Sequence, residues 1–262
     1  MFTISDAQIQ AWLGLVMWPA FRIMAIFATD PFYSSRAIPI RVRVALAFLL
    51  ALVVAPVIPV QPAIAPVSPL GILVLMQQVL IGLAIGFTMR LVFASVEMAG
   101  HLAGLQMGLG FASFYDPQHG TNTAVVAQFA SLLTLLLFLA MNGHLLVIET
   151  LAHSFVLLPV SATPIKAAGF KLLVDAAGQI FTLGVLLSLP VLAALLITNL
   201  SIGVMSRAAP QFNVFAVGFP LTLGVGMAAL YFSLPQFPGH VHRLIDQATR
   251  LAYKLAKVFA GG

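Results

Sequence analysis

The chain contains no cysteine, which excludes disulfide staples, thiolate metal ligands and cysteine nucleophiles. Charge is almost as scarce: 7% of the 262 residues are charged and 61% are hydrophobic, whereas soluble domains carry about 25% charged residues. Such a composition belongs to an integral membrane protein or to a part buried in a membrane assembly. The carboxylates (Asp6, Asp30, Glu97, Asp116, Glu149, Asp175, Asp246) are scattered, with no pair at helical spacing to form a local acid–base dyad. His240 and His242 lack an accompanying H-E-x-x-H or a carboxylate at ligand spacing, so no metal site is predicted. There is no nucleophile elbow and no phosphate-cradling glycine loop. The sequence therefore predicts neither enzymatic chemistry nor a cofactor. No basic, aromatic-interleaved patch is present either, so the formal charge of +5 points to membrane orientation and not to nucleic acid. The amino terminus carries Asp6 and no basic residue before Arg22, unlike the positive leader of a cleavable signal; an uncleaved first segment is expected.

What is present is long apolar runs. Residues 44 to 89 are uncharged, about twice the length that one bilayer-spanning helix needs. The prolines at 56, 59, 62, 66 and 69 divide this run into two helices and a turn. Further uncharged stretches cover 117 to 148, 176 to 206 and 208 to 242; with residues 9 to 29 they predict about six apolar helices in an all-α, polytopic protein. Arg36, Arg41 and Arg43 place residues 30 to 43 on the cytoplasmic side. Arg207 and the tail (Arg243, Arg250, Lys254, Lys257) also vote for that side. A single crossing between them would put them on opposite faces. The tail, residues 236 to 262, reads as an amphipathic helix with Leu244, Ala248, Leu251, Leu255 and Val258 on one stripe. It fits docking on a membrane or partner as well as packing on its own chain.

One passage interrupts the apolar pattern. "GHLAGLQMGLGFASFYDP" sets Gly100, Gly104 and Gly108 four residues apart, then Phe111 and Phe114 before Asp116 and Pro117. Glycines at this spacing let a second backbone approach closely, and Gly82 and Gly86 repeat the device, as expected for a preceding helix. By themselves the aromatics fit an interfacial belt or a core. Arg22, Arg90 and Glu97 are charges within apolar runs, the mark of a small-solute channel or secondary transporter. For the two arginines near helix ends, snorkelling is the cheaper account. No repeat of two similar halves is visible.

Four passages, "FRIMAIFATDPFYSSRAIPIRVRVALA", "LMQQVLIGLAIGFTMRLVFASVEMAGHLAGLQMGLGFASFYDP", "LFLAMNGHLLVIETL" and "MSRAAPQFNVFAVGFPLTLGVGM", together resemble the FliR family of flagellar export components and its type III secretion relatives. The resemblance runs in order along nearly the whole chain. It implies a subunit of the protein export gate in the flagellar basal body, in the bacterial inner membrane, through which unfolded flagellar proteins pass. The implied partners are about five FliP and four FliQ homologues around one FliR-like chain, with FlhB and FlhA, and membrane lipid around the assembly. The implied architecture is a FliP-like part over residues 1 to 165 and a FliQ-like helix pair over 166 to 262. It also implies a pore plug within 107 to 122, carried by Phe111 and Phe114 with Met107, Leu109 and Tyr115 beside them. Finally, it implies a cytoplasmic link at 206 to 220, with Arg207, Pro210, Gln211 and Asn213 available to a partner.

Overall fold

The computed structural model describes residues 6–58, 64–66, 68–111, 125–211 and 214–261. Among these there is no strand. Among the described residues eight α-helices run in order: α1 (Asp6–Thr29), α2 (Ile40–Val54), α3 (Pro69–Gln106), α4 (Val125–Ala140), α5 (Gly143–Leu157), α6 (Ala168–Ala208), α7 (Val214–Ser233) and α8 (Phe237–Ala260). The all-α reading holds, while the count of about six apolar helices is not confirmed. Among the described residues three helical stretches are long and apolar enough to cross a membrane, namely Pro69–Gln106, Ala168–Ala208 and Ala216–Ala260. A fourth is reached only if α4 and α5, bent by 67° at their junction, count as one. The bend has a local cause: Asn142 takes the left-handed conformation at φ 57°, which ends one helix and starts the next. α2, at 15 residues, is about 22 Å long at 1.5 Å per residue, short of the ≈30 Å hydrocarbon layer.

The chain folds into two compact units that each gather distant sequence. One comprises residues 1–91, 142–177 and 245–262; the other comprises 92–141 and 178–244. Each unit draws on both sides of residue 165.

In the first unit Trp18, Ile23, Ile26 and Phe27 of α1 are fully buried with Leu151 and Phe155 of α5. Gly82 and Gly86 sit against α1: a Cβ on Gly82 would come within 2.6 Å of the Ala25 Cβ, and one on Gly86 within 2.6 Å of the Ile26 carbonyl oxygen. These glycines lie in the same 38-residue helix as Gly100 and Gly104, not in a preceding one. The last turns of α8 belong here as well. Phe259 is buried against Gly169 and meets Phe170 edge-on at 5.1 Å. The amphipathic seam thus packs on the protein itself. The buried residues of α8 in this unit are Ile245, Ala248, Ala252, Leu255, Ala256 and Phe259; of the expected stripe Leu244, Ala248 and Leu255 are buried, whereas Leu251 and Val258 are only partly covered.

The second unit closes around Ala103, Met107, Val126, Val191 and Leu195, with Leu109, Leu223 and Leu230 packed on that cluster. Phe93 meets Phe138 edge-on at 5.9 Å.

Candidate functional site

The glycine ladder performs three different tasks. Gly100 is a contact of backbone on backbone: a Cβ there would collide with the Ala127 Cα of α4 and lie 2.8 Å from the Ala127 nitrogen. At Gly104 the nearest atoms, both of Val126, would be 3.7 Å away, which is ordinary contact. Gly108 takes φ 85°, a conformation that costs glycine little. Its N–H donates to the Leu105 carbonyl at 3.0 Å, turning the chain out of α3. Gly100→Ala is therefore expected to lower the stability of the second unit by about 1–3 kcal/mol, while Gly104→Ala leaves it unchanged. Thermal unfolding of the two purified variants checks this, and equal midpoints would contradict the crossing geometry.

After the turn, Leu109–Phe111 form a single 3₁₀ turn. Met107 is fully buried in the core cluster, and Leu109 packs on it. Met107 thus roots the break in the fold. Phe114 and Tyr115, with the rest of the expected plug through residue 122, lie outside the described residues. At the other expected site, Arg207 ends α6 and is exposed, followed by exposed Pro210 and Gln211. These side chains are open to a partner. Asn213 lies outside the described residues.

Of the three charges in apolar runs, two are exposed and one is buried. Glu97 is exposed and lies 3.8 Å from His101, one helical turn on. Arg90 is exposed. Arg22 does the opposite of snorkelling: it is fully buried. Its Nε donates to Gln78 Oε1 at 2.8 Å, and its guanidinium nitrogens donate to the carbonyls of Ser154 (3.1 Å) and Leu158 (3.0 Å) and to Ser154 Oγ (3.2 Å). The guanidinium carbon lies 4.1 Å from the centre of the Phe155 ring. The cation caps the carboxy-terminal end of α5, where unpaired carbonyls carry negative charge, and ties that end to α1 and α3.

An apolar cavity of 80 Å³ in the second unit is lined by residues including Val96, Gly100, Ala103, Leu133, Val191 and Leu230. Its serines, Ser188 and Ser233, donate to the carbonyls of Val185 and Ala229 on their own helices. Neither hydroxyl hydrogen is left for a solute.

Asp30 follows α1 and is fully buried. Its Oδ1 accepts the N–H groups of Phe32 (2.9 Å) and Tyr33 (3.0 Å), while Oδ2 has no partner among the described residues. The turn it builds rests on α5, because the Tyr33 hydroxyl donates to the His144 carbonyl at 3.2 Å. Burial raises the Asp30 pKa from 3.8 to about 6, against the lowering effect of the two N–H donors. Burial, with Asp30 adjoining, pushes Tyr33 up to about 12. A raised carboxyl pKa means that the folded state holds its proton more tightly. That stability is fully present below pH 3.8 and is lost as pH rises through about 6, an effect of about 3 kcal/mol. Asp30→Asn keeps the Oδ1 acceptor and removes the charge. Relative to wild type it should gain stability between pH 4 and 7.5, measured as unfolding midpoints in detergent; parallel pH profiles would refute the buried carboxylate.

Among the described residues no group of three His, Asp or Glu is placed to hold a metal ion. What remains is a helical membrane protein whose distinctive features are a rooted break after α3 and an exposed link after α6. The model of "Bacterial export proteins, family 1" matches residues 13–248. The chain is 44% identical to the "Flagellar biosynthetic protein FliR" of Pectobacterium carotovorum over 94% of both chains. It is 40% identical to that of Escherichia coli K12 over 96% of both. With the protein of the same name from Bacillus subtilis it shares 30% identity, over 82% of this chain and 85% of the relative. The chain belongs to the FliR family, whose members are structural components of the export apparatus and not enzymes.

Proposed function

We propose that this protein is a subunit of the flagellar type III export gate, forming part of the pore that passes unfolded flagellar proteins across the bacterial inner membrane. The observation that carries the reading is the family match over residues 13–248, with relatives aligned over 94% and 96% of both chains. The FliP-like part is residues 1 to 165 and the FliQ-like helix pair is 166 to 262. FliP and FliQ homologues surround the chain, five and four in number, and FlhB and FlhA meet the assembly. The exposure of large apolar side chains on α6 (Phe181, Leu186, Leu196, Ile197, Leu200, Val204) supports partners or lipid covering this helix.

Within the gate, Phe111 and Phe114, flanked by Leu109 and Tyr115 and rooted by Met107, form the plug. An apolar constriction stops ions by dewetting and needs no charge. Arg207, Pro210, Gln211 and Asn213 form the cytoplasmic contact with FlhB.

The test is purification in mild detergent from cells that also express the FliP and FliQ homologues. A stoichiometric complex is expected. A stable monomer or homodimer with solute-dependent thermal shifts would instead mark a channel or transporter. Sidedness is checked separately, since the chain has no cysteine and Ala37 and Gln211 are exposed. A cysteine at either position should resist an impermeant thiol reagent in intact cells and react in inverted vesicles. Labelling of Gln211→Cys from outside would overturn the cytoplasmic placement of the link.

A further inference from the structure

In the first unit α2 exposes about half of its circumference, and that half is apolar except for one residue. Its buried face is Ala47, Ala51 and Val54, and it packs on α1. On the outer side Val44, Phe48, Leu49, Leu52 and Val53 are exposed; at 100° per residue they spread over about 180°. Arg41, also exposed, falls within that arc, just before Val44. A second exposed cation, Arg36, stands ahead of the helix. The turn between them is fixed from within: the Ile38 N–H and Arg43 Nη2 both donate to the Ser35 carbonyl, at 3.1 and 3.2 Å. No carboxylate answers these charges locally, since residues 31–96 contain none and Asp30 is buried with Oδ1 committed to the Phe32 and Tyr33 N–H groups. Neither Arg36 nor Arg41 is in an ion pair with a described residue. The first turn of α2 holds no acidic residue, so the positive end of the helix adds to both arginines instead of offsetting them.

We propose that this end of α2 binds an anionic phospholipid, with the phosphate at Arg36 and Arg41 and an acyl chain along Phe48 and Leu52. Charge complementarity selects the headgroup. The breadth of the apolar arc selects hydrocarbon over a partner helix, because a stripe that faces protein is typically about 100° wide. Length agrees: Val44 to Val53 covers about 14 Å of helix axis, close to the ~15 Å of one hydrocarbon leaflet. The inference needs a bilayer beside α2 and no pore, so it stands or falls apart from the export-gate reading.

The test uses the full chain in mild detergent, with fluorescent phosphatidylglycerol and phosphatidylcholine of identical acyl chains as probes. Phosphatidylglycerol should bind about tenfold more tightly, a preference that shrinks as salt rises. Arg36→Gln/Arg41→Gln should abolish the preference and leave phosphatidylcholine binding unchanged; Arg43, which holds the turn, is kept. If that variant fails to fold, Arg41→Gln alone should cut the preference about threefold. Phe48→Ser/Leu52→Ser should weaken both lipids alike. Inorganic phosphate at matched ionic strength should not displace phosphatidylglycerol; displacement would assign the arginines to a free anion and overturn the lipid site. Equal binding of the two lipids, or a preference that survives the arginine variants, would overturn it as well. So would a photo-crosslinker at Leu49 that captures a protein chain and no lipid in cells expressing the export components, which would assign this face to a partner subunit.

Discussion

Arg22→Ala is expected to lose about 4–5 kcal/mol of stability and, with it, recovery of any folded complex. The substitution leaves Gln78 Oε1 and the Leu158 carbonyl without the Arg22 donor, while the Ser154 carbonyl keeps the Leu158 N–H, in a core that admits no water to Arg22 itself. Each orphaned buried acceptor costs about 1–3 kcal/mol, and the lost packing on Phe155 adds to it. Arg22→Lys should recover only part, since one ammonium cannot reach the three directions that the guanidinium fork spans. Two further variants separate charge from shape. Gln78→Glu places a carboxylate at the 2.8 Å contact with Nε and should leave stability at or above wild type. Arg22→Met/Gln78→Leu, which removes the charge and one acceptor together, should recover part of the loss, as apolar replacements of buried ionic groups do. Thermal midpoints and yields in detergent read out the set. Wild-type stability in Arg22→Ala would show that the guanidinium is dispensable to the core.

That residue also marks where sequence reading stops. An arginine near a helix end usually reaches for water, and composition gave no reason to think otherwise. Its partners lie 56 to 136 positions away, so only the folded chain brings them together. The usable signal was indirect: Gln77 and Gln78 inside an uncharged run, an unusual amide pair in a segment that buries both. The helices themselves were largely legible, since uncharged runs and the proline-rich turn locate α2, α3, α6 and α7. Run length did not fix where one apolar helix ends and the next begins, for two reasons. Asn142 breaks one apolar run into a bent pair, and α7 and α8 join through the short 3₁₀ turn Leu234–Gln236, making one long stretch of two runs. At the break, glycine spacing announced close packing but could not divide the roles. Gly100 touches backbone, Gly104 does not, and Gly108 is a turn. The proposed plug aromatics rest on family resemblance alone, because an apolar seal has no chemistry of its own to display.

For the same reason the plug is decided by leakage. If Phe111 and Phe114 fill a core, replacing both with Ala should cost about 3–5 kcal/mol each, and the complex should fail to form with no open pore. If they form the seal, the double variant should assemble with its partners at normal yield, because pore-facing side chains contribute little to contacts between subunits. The resting gate would then pass small ions. Burial of one Phe is worth about 1.5–3 kcal/mol, so displacing two costs several kcal/mol. That is enough to hold the pore shut at rest and little enough for an entering chain to overcome. The root of the break should behave differently: Met107 is fully buried, with Gly226 against its side chain. Met107→Ala is expected to cost about 2–5 kcal/mol and to lower yield before it opens any leak. The measurement is ion or dye leakage in cells expressing the whole gate, with complex yield followed in parallel. A double phenylalanine variant that assembles normally and stays sealed would refute the plug. One that fails to assemble would return both residues to the core.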